Sequence, residues 1–315
     1  MKDLVQANQG KFADPLKTAN GEDRATVALT NPKTLWFNTG TVCNIECVNC
    51  YIESSPTNDA LVYLTTEDVQ TYLDQITERN WPVTEIAFTG GEPFMNPNMI
   101  GMARAALEAG FEVLILTNAM RPMMRPKMRE GLLELNAEFP GKLTLRISVD
   151  HYSPARHDQE RGAGSFEKTK AGMDWLRDNG FQMTIAGRMA WADSEADARD
   201  GFGRFFADNG YTIDPQNPIQ TVLFPEMDET VEVPEITTAC WGILNKSPEA
   251  VMCSSSRMVV RRKGAAQPAV LACTLLAYDE AFELGTTLQE AERDVSLNHP
   301  HCAKFCVLGG ASCSA

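Results

Sequence analysis

The chain has 315 residues, of which 42 are acidic and 28 basic, giving a formal net charge of −14. Such a surface repels phosphate backbones and anionic lipid, which argues against nucleic acid or a membrane as partner. Apolar residues supply 43% of the chain, enough to fill a core, while no run reaches the about 18 apolar residues that a bilayer crossing needs. The opening MKDLVQANQGKFADPLK lacks the apolar block of a secretion signal, so a cytoplasmic protein is expected.

Residues 1–33, with scattered Gly, Asn and Asp, read as an arm or lid rather than a domain. From residue 34 to 232 short β-rich runs alternate with helical patterns. The runs are LWFN from Leu35, EIAFTGG from Glu85, FEVLILTN from Phe111, LTLRISVD from Leu143, FQMTIAGRMA from Phe181 and IQTVLFP from Ile219. Most are nearly continuous in apolar residues, as strands buried on both faces are.

Between them, Val69, Tyr72, Leu73 and Ile76 follow a helical period after Thr65, which with Asp68 forms a capping box. Pro126 suits a first helical position, and Ser165 and Ser194 read as N-caps of helices ending at Gly180 and Gly210. Repeated βα units require parallel strands joined by right-handed crossovers. The fold class expected is α/β, a partial (β/α)6 TIM-like barrel followed by a small cysteine-rich C-terminal iron–sulfur domain at residues 233–315. A flat doubly wound sheet is the alternative. Either way the working site lies at the carboxyl ends of the strands. In the C-terminal part a hairpin is expected from Met258 to Ala272, across RRKGAAQP.

The cysteines carry the chemistry. There are nine, three within eight residues near the start (Cys43, Cys47, Cys50) and six in the last 76 (Cys240, Cys253, Cys273, Cys302, Cys306, Cys313). An odd number without an export signal argues against a disulfide framework, and the clustering points to metal ligation. Cys43, Cys47 and Cys50 form C-x3-C-x2-C on the loop after the first strand. Three such thiolates can wrap a [4Fe–4S] cube and leave one iron open, whereas structural zinc needs a fourth protein ligand, and none lies nearby. Gly90-Gly91-Glu92-Pro93 ends the next strand. Two glycines permit close backbone approach to a ligand, and a carboxylate beside them suits an ammonium group. Alone, GGEP also reads as a tight turn.

Together, CNIECVNCY and TGGEP resemble the radical S-adenosylmethionine (radical SAM) superfamily over roughly Thr34 to Pro225. The resemblance implies an iron–sulfur oxidoreductase. Its open iron chelates S-adenosylmethionine, and one electron cleaves the cofactor to a 5′-deoxyadenosyl radical that abstracts hydrogen from substrate. It implies Cys43, Cys47 and Cys50 as cluster ligands, Gly90, Gly91 and Glu92 around the methionine amino group, and Tyr51 beside the adenine. Ser148 and Arg161, in ISVDHYSPARHDQERGAGSF, match the family segment that holds the methionine carboxylate, here one residue longer. Asp150 is a further candidate for cofactor or substrate contact. Thr117 and Asn118 close the third strand, either at the pocket or in an ordinary turn. Arg146 and Arg188, inside strands, need partners.

Cys253, Cys273, Cys302 and Cys306 are similar to the ligands of SPASM and twitch extensions, which hold auxiliary clusters, and LACTLLAYDEAFELGTTLQEA resembles the same extensions. SPASM domains use more cysteines in a different terminal spacing, so one twitch-like auxiliary [4Fe–4S] cluster is expected, with a structural zinc on four thiolates as the alternative. Cys313 competes with Cys306 as a ligand. Cys240 reads as a buried thiol, and His299 and His301 as exposed loop residues. The function implied is oxidative or cross-linking modification of a peptide, with a ferredoxin or flavodoxin as electron donor. The alternatives are a radical SAM dehydrogenase or rearranging enzyme for a small molecule, its pocket shaped by Trp191, Arg188, Phe224 and Arg257, or a non-catalytic iron–sulfur or zinc protein.

Overall fold

The computed structural model describes residues 10–191, 194–226 and 231–310. Six of the β-rich runs become parallel strands: β2 (Thr34–Asn38), β3 (Glu85–Thr89), β4 (Glu112–Thr117), β5 (Leu143–Ser148), β6 (Gln182–Met189) and β7 (Thr221–Pro225), with β1 (Thr26–Val27) preceding them. They lie side by side in chain order. A doubly wound sheet reverses direction at a switch point, so the unbroken order is that of a barrel wall and excludes the flat alternative. Trp36, Phe37, Ile86 and Phe88 on neighbouring strands are wholly buried, which is why these runs carry almost no polar residues.

The crossovers are helices α1 (Thr66–Arg79), α2 (Met99–Glu108), α3 (Pro126–Glu138), α4 (Pro154–Arg161), α5 (Ser165–Asp178) and α6 (Glu195–Asn209). The capping box stands: the Thr65 hydroxyl accepts from the Asp68 amide at 3.1 Å while the Asp68 carboxylate accepts from the Thr65 amide at 2.9 Å. Ser194 caps α6 as expected. Ser165 does not cap α5. Gly164, at φ +72°, is the N-cap, and the Ser165 hydroxyl donates to Asp158 at 2.9 Å. Helix α4, which follows β5, was not among the expected helices, because only Pro154 marks its start.

The sheet does not stop at the barrel. Strand β8 (Ser256–Val260) pairs in parallel with β2, and the expected hairpin brings β9 (Ala269–Leu271) antiparallel to β8. With β10 (Glu283–Gly285) the sheet runs to nine strands among the described residues. The C-terminal segment thus shares a sheet with the barrel, across the expected boundary at residue 233. The N-terminal arm is tied to the same end: β1 pairs with β11 (Val295–Ser296), and buried Arg24 meets Glu235 at 2.5 Å. No helix among the described residues is long and apolar enough to cross a membrane.

Candidate active site

A cavity of about 1050 Å³ opens at the carboxyl ends of the strands. Its wall takes in Cys43, Cys47 and Cys50 from the loop after β2, Gly90 and Gly91 after β3, and Thr117 and Asn118 after β4. Ser148, Asp150, Arg161 and Arg188 complete the polar side, and Tyr51 also lines it.

The cysteine loop and the glycine turn lie backbone against backbone. The Gly91 amide donates to the Gly40 carbonyl at 2.8 Å and the Glu92 amide to the Val42 carbonyl at 3.2 Å. A Cβ on Gly91 would stand 2.5 Å from the Val42 oxygen, and one on Gly90, at φ +149°, 2.6 Å from the Gly40 oxygen. No L side chain fits either place. The far side of the loop is pinned as well: the Val48 amide donates to the Glu160 carbonyl at 2.9 Å, and the Tyr278 hydroxyl to the Ile52 carbonyl at 2.7 Å.

Glu92 takes a different place from the one its motif suggests. It is 1% exposed and does not line the cavity. Its carboxylate sits one layer behind, accepting from the Thr117 hydroxyl and Asn118 amide, each at 2.8 Å, and from the Phe94 amide at 3.2 Å. Burial pushes it up to about 7 although three donors face it.

Asp150 organises the opposite wall. The Arg161 guanidinium reaches it two-pronged, at 2.6 and 3.0 Å, and Arg188 stands at 3.4 Å. Burial would raise its carboxyl, but the two guanidinium groups, Arg161 first, hold it below the usual carboxylate range. Two cations around one carboxylate leave a net positive charge at the cavity, the sign a ligand carboxylate requires. Arg188 also donates to the Asn49 carbonyl at 2.7 Å, tying β6 to the cysteine loop.

Buried histidines stand both here and at the second site. His157 of α4 is buried, neither ring nitrogen has a hydrogen-bond partner among the described residues, and burial lowers it to about 4. His301, read as an exposed loop residue, is 6% exposed. Its position next to Cys302 was the available signal.

A second cavity, of about 370 Å³, lies in the C-terminal segment and is lined by Cys253, Cys273, Cys302 and Cys306, by His301, and by apolar residues such as Met252 and Phe282. Burial pushes the Cys253 thiol up to about 11, and it drives Cys302 well above its ordinary value, with Cys273 and Cys253 beside it adding to the rise. Cys302 and Cys306 sit on one π-helical turn, Cys302–Leu308. Cys313 lies outside the described residues. Cys240 does not line the cavity; the Thr237 amide donates to its sulfur at 3.4 Å. Among the described residues no three His, Cys, Asp or Glu side chains stand grouped as for one ion. Thiols that hold a cube from its corners stand wider apart than the ligands of a single ion.

The cavities share a wall. Leu275 lines both, and Phe305, on the turn bearing Cys302 and Cys306, lines the first and meets Phe224 of β7 with ring centroids 5.6 Å apart. Of the residues expected to shape a small-molecule pocket, Arg188 and Phe224 line the first cavity; Trp191 does not, and Arg257 is buried away from it at 1% exposure.

Residues 37–189 match the Radical SAM superfamily. An AdoMet-dependent heme synthase of Methanosarcina barkeri is 30% identical over 161 residues, 50% of this chain and 43% of that protein. The antilisterial bacteriocin subtilosin biosynthesis protein AlbA of Bacillus subtilis is 32% identical over 145 residues, 46% of this chain and 30% of that protein. The chain therefore spans less than half the length of these relatives. Among solved structures, Streptococcus suis SuiB bound to precursor peptide SuiA superposes with a TM-score of 0.59 at 12% identity, covering 90% of this chain and 67% of that one, a likeness of fold. The matched segment holds the thiol loop, the glycine turn packed on it and the Asp150 cluster facing both, so the part of the chain that builds the first site is the part that matches the radical SAM superfamily, whose members use a [4Fe–4S] cluster and S-adenosylmethionine.

Proposed function

We propose that this protein is a radical SAM enzyme that modifies a peptide, oxidising or cross-linking it. The observation that carries the radical SAM chemistry is the single cavity onto which Cys43, Cys47 and Cys50, the Gly90–Gly91 backbone and the Asp150–Arg161–Arg188 cluster all open. The site suits the cofactors: three thiols on one loop, and a cradle that a Cβ would fill. When bound, the cluster and S-adenosylmethionine supply a 5′-deoxyadenosyl radical that takes hydrogen from substrate.

On this reading Cys43, Cys47 and Cys50 hold the cluster, Gly90 and Gly91 receive the methionine amino end by backbone, and Tyr51 flanks the adenine. Ser148 and Arg161 take the methionine carboxylate, with Asp150 holding the Arg161 fork in its plane. Glu92 acts as a positioning residue that fixes Thr117 and Asn118. Phe224, Leu275 and Phe305 keep water from the reacting end. Residues 34–232 form the catalytic barrel, 1–33 an arm, and 233–315 an auxiliary unit. There Cys253, Cys273, Cys302 and Cys306 hold one further [4Fe–4S] cluster that accepts the electron left when a substrate radical is oxidised. Their common cavity supports Cys306 in this set. A small ferredoxin or flavodoxin supplies the first electron, in the cytoplasm.

The peptide is supported by the likeness in fold to SuiB, solved with its precursor peptide SuiA, and by the partial similarity to AlbA. The test is iron, sulfide and zinc per chain in anaerobically purified protein, beside the triple variant C43A/C47A/C50A. About eight irons falling to about four, with S-adenosylmethionine cleavage lost, is expected. About four falling to none with one zinc retained would make the C-terminal site structural. Cleavage stimulated by small molecules and by no peptide encoded beside the gene would transfer the reading to a small substrate.

A further inference from the structure

Arg257, on β8, is 1% exposed, among the largest wholly buried side chains of the molecule. Among the described residues its guanidinium donates only to backbone carbonyls: Ala291 at 2.9 Å, Cys253 at 2.6 Å, Ser256 at 2.8 Å and Arg293 at 3.3 Å. Among the described residues it makes no ion pair. Two other arginines differ: buried Arg24 has Glu235 at 2.5 Å, and half-buried Arg161 has Asp150 at 2.6 Å. Burial makes its positive form less favourable, lowering it to about 10, yet it stays charged at neutral pH. The groups that act on it electrostatically are Cys253, Cys273 and Asp294, and Asp294 is exposed.

A buried cation without an anion is costly, and carbonyl dipoles offset only part of that cost. The missing anion is at hand. Arg257 is hydrogen-bonded to the backbone of Cys253, a residue that lines the four-cysteine cavity with Cys273, Cys302 and Cys306. A cube held by four thiolates carries net negative charge, which grows by one on reduction, and that charge balance sets its potential.

We propose that Arg257 is the fixed countercharge of the four-cysteine centre, favouring its reduced form and so setting the potential at which it accepts an electron. The inference rests on the reading of this centre as an auxiliary iron–sulfur cluster.

The test uses the full chain as the C43A/C47A/C50A variant, so that only the second centre contributes, with a redox titration followed by electron paramagnetic resonance. R257Q removes the charge and keeps amide donors, while R257K keeps the charge and gives up the fork. With iron retained, R257Q is expected to make reduction harder by at least tenfold in the reduced-to-oxidised ratio, about 59 mV for one electron. R257K is expected to stay within about threefold of its parent, which is half a decade of the same ratio. An unchanged midpoint in R257Q overturns the proposal while leaving the auxiliary cluster standing. If R257Q does not fold, R257K decides: loss of its iron overturns the proposal in favour of carbonyl clamping, and an iron content and midpoint like the parent's support it. Absence of iron from the parent variant, or one zinc in its place, overturns the auxiliary-cluster reading and the proposal with it.

Discussion

The two cysteine sites handle charge in opposite ways. Around the first, charged side chains face side-chain or backbone partners: Asp150 lies between Arg161 and Arg188, and Glu92 receives three donors. Around the second the wall is apolar, and buried Arg257 meets, among the described residues, carbonyls alone. Their construction differs too. The first is made by loop backbones in contact at the ends of parallel strands, the second by side chains from 3-10 turns, a short hairpin and a π-helical turn. A site of the first kind fails when a backbone is pushed aside; one of the second kind fails when a side chain is lost.

The sharpest way to separate them is therefore G91A. Its methyl group would meet the Val42 and Thr41 carbonyl oxygens at 2.5 and 2.6 Å, which are backbone atoms that cannot swing away. The cysteine loop must shift, so about four of about eight irons should be lost and S-adenosylmethionine cleavage should fall at least 100-fold, of the order seen when a reacting geometry slips by about an ångström. Iron and 5′-deoxyadenosine assays check this. A full iron complement in G91A would show that the two loops are separable.

Next in size is D150N, which leaves Arg161 and Arg188 without their shared carboxylate. Breaking a buried ion pair costs about 3–5 kcal/mol. Because both arginines are partly open to the cavity, with side chains 11% and 20% exposed, the lower end applies, about 3 kcal/mol. Denaturant unfolding of the cofactor-free protein measures it, and a loss under about 1 kcal/mol would mean the charges are matched elsewhere.

The contrast also explains what the sequence made readable. Backbone contact has a sequence mark, since only glycine fits, so Gly90 and Gly91 announced themselves beside three spaced cysteines. Buried strands mark themselves by apolar runs, and the βα order followed. The parallel pairing of β8 with β2 left no mark, because it joins residues over 200 positions apart through backbone alone. Helix α4 was hidden by PARHDQER, whose charged residues give no apolar stripe. Glu92 was read as a cavity group because its neighbours suggest a ligand, while the partners that turn it inward, Thr117 and Asn118, come from another strand. Arg257 looked like a pocket residue for the same reason: burial is decided by distant segments, here Ala291 and Arg293.

Glu92 gives a pH test confined to the first site. Its carboxyl is raised in the folded state from 4.5 to about 7, so its contribution to stability is full below pH 4.5 and is lost as pH rises through 7. Relative to E92Q, whose side chain does not titrate, the cofactor-free wild type should lose about 3 kcal/mol between pH 4.5 and 8. A difference that stays flat across that window would show the carboxyl ionised throughout. E92Q carries the second site unchanged, so titration there cancels from the difference.

The smallest effect expected falls where the two sites meet. Phe305 belongs by its turn to the second site and by its ring to the wall of the first, against Phe224. Phe305 is 2% exposed, so truncation to Ala would also remove a buried ring. F305L keeps most of that volume and loses chiefly the aromatic contact, about 0.5–1.5 kcal/mol beyond area burial, so it should be folded and should keep both iron complements. It opens the wall at the substrate end and spares the thiols and the Asp150 cluster. S-adenosylmethionine cleavage should therefore persist while modified substrate per cleavage event falls several-fold, the share about 1 kcal/mol represents. Measuring 5′-deoxyadenosine and modified substrate in the same reaction separates the two quantities. An unchanged ratio would mean that Phe305 packs the C-terminal turn and nothing more, and that substrate enters the cavity past a different wall.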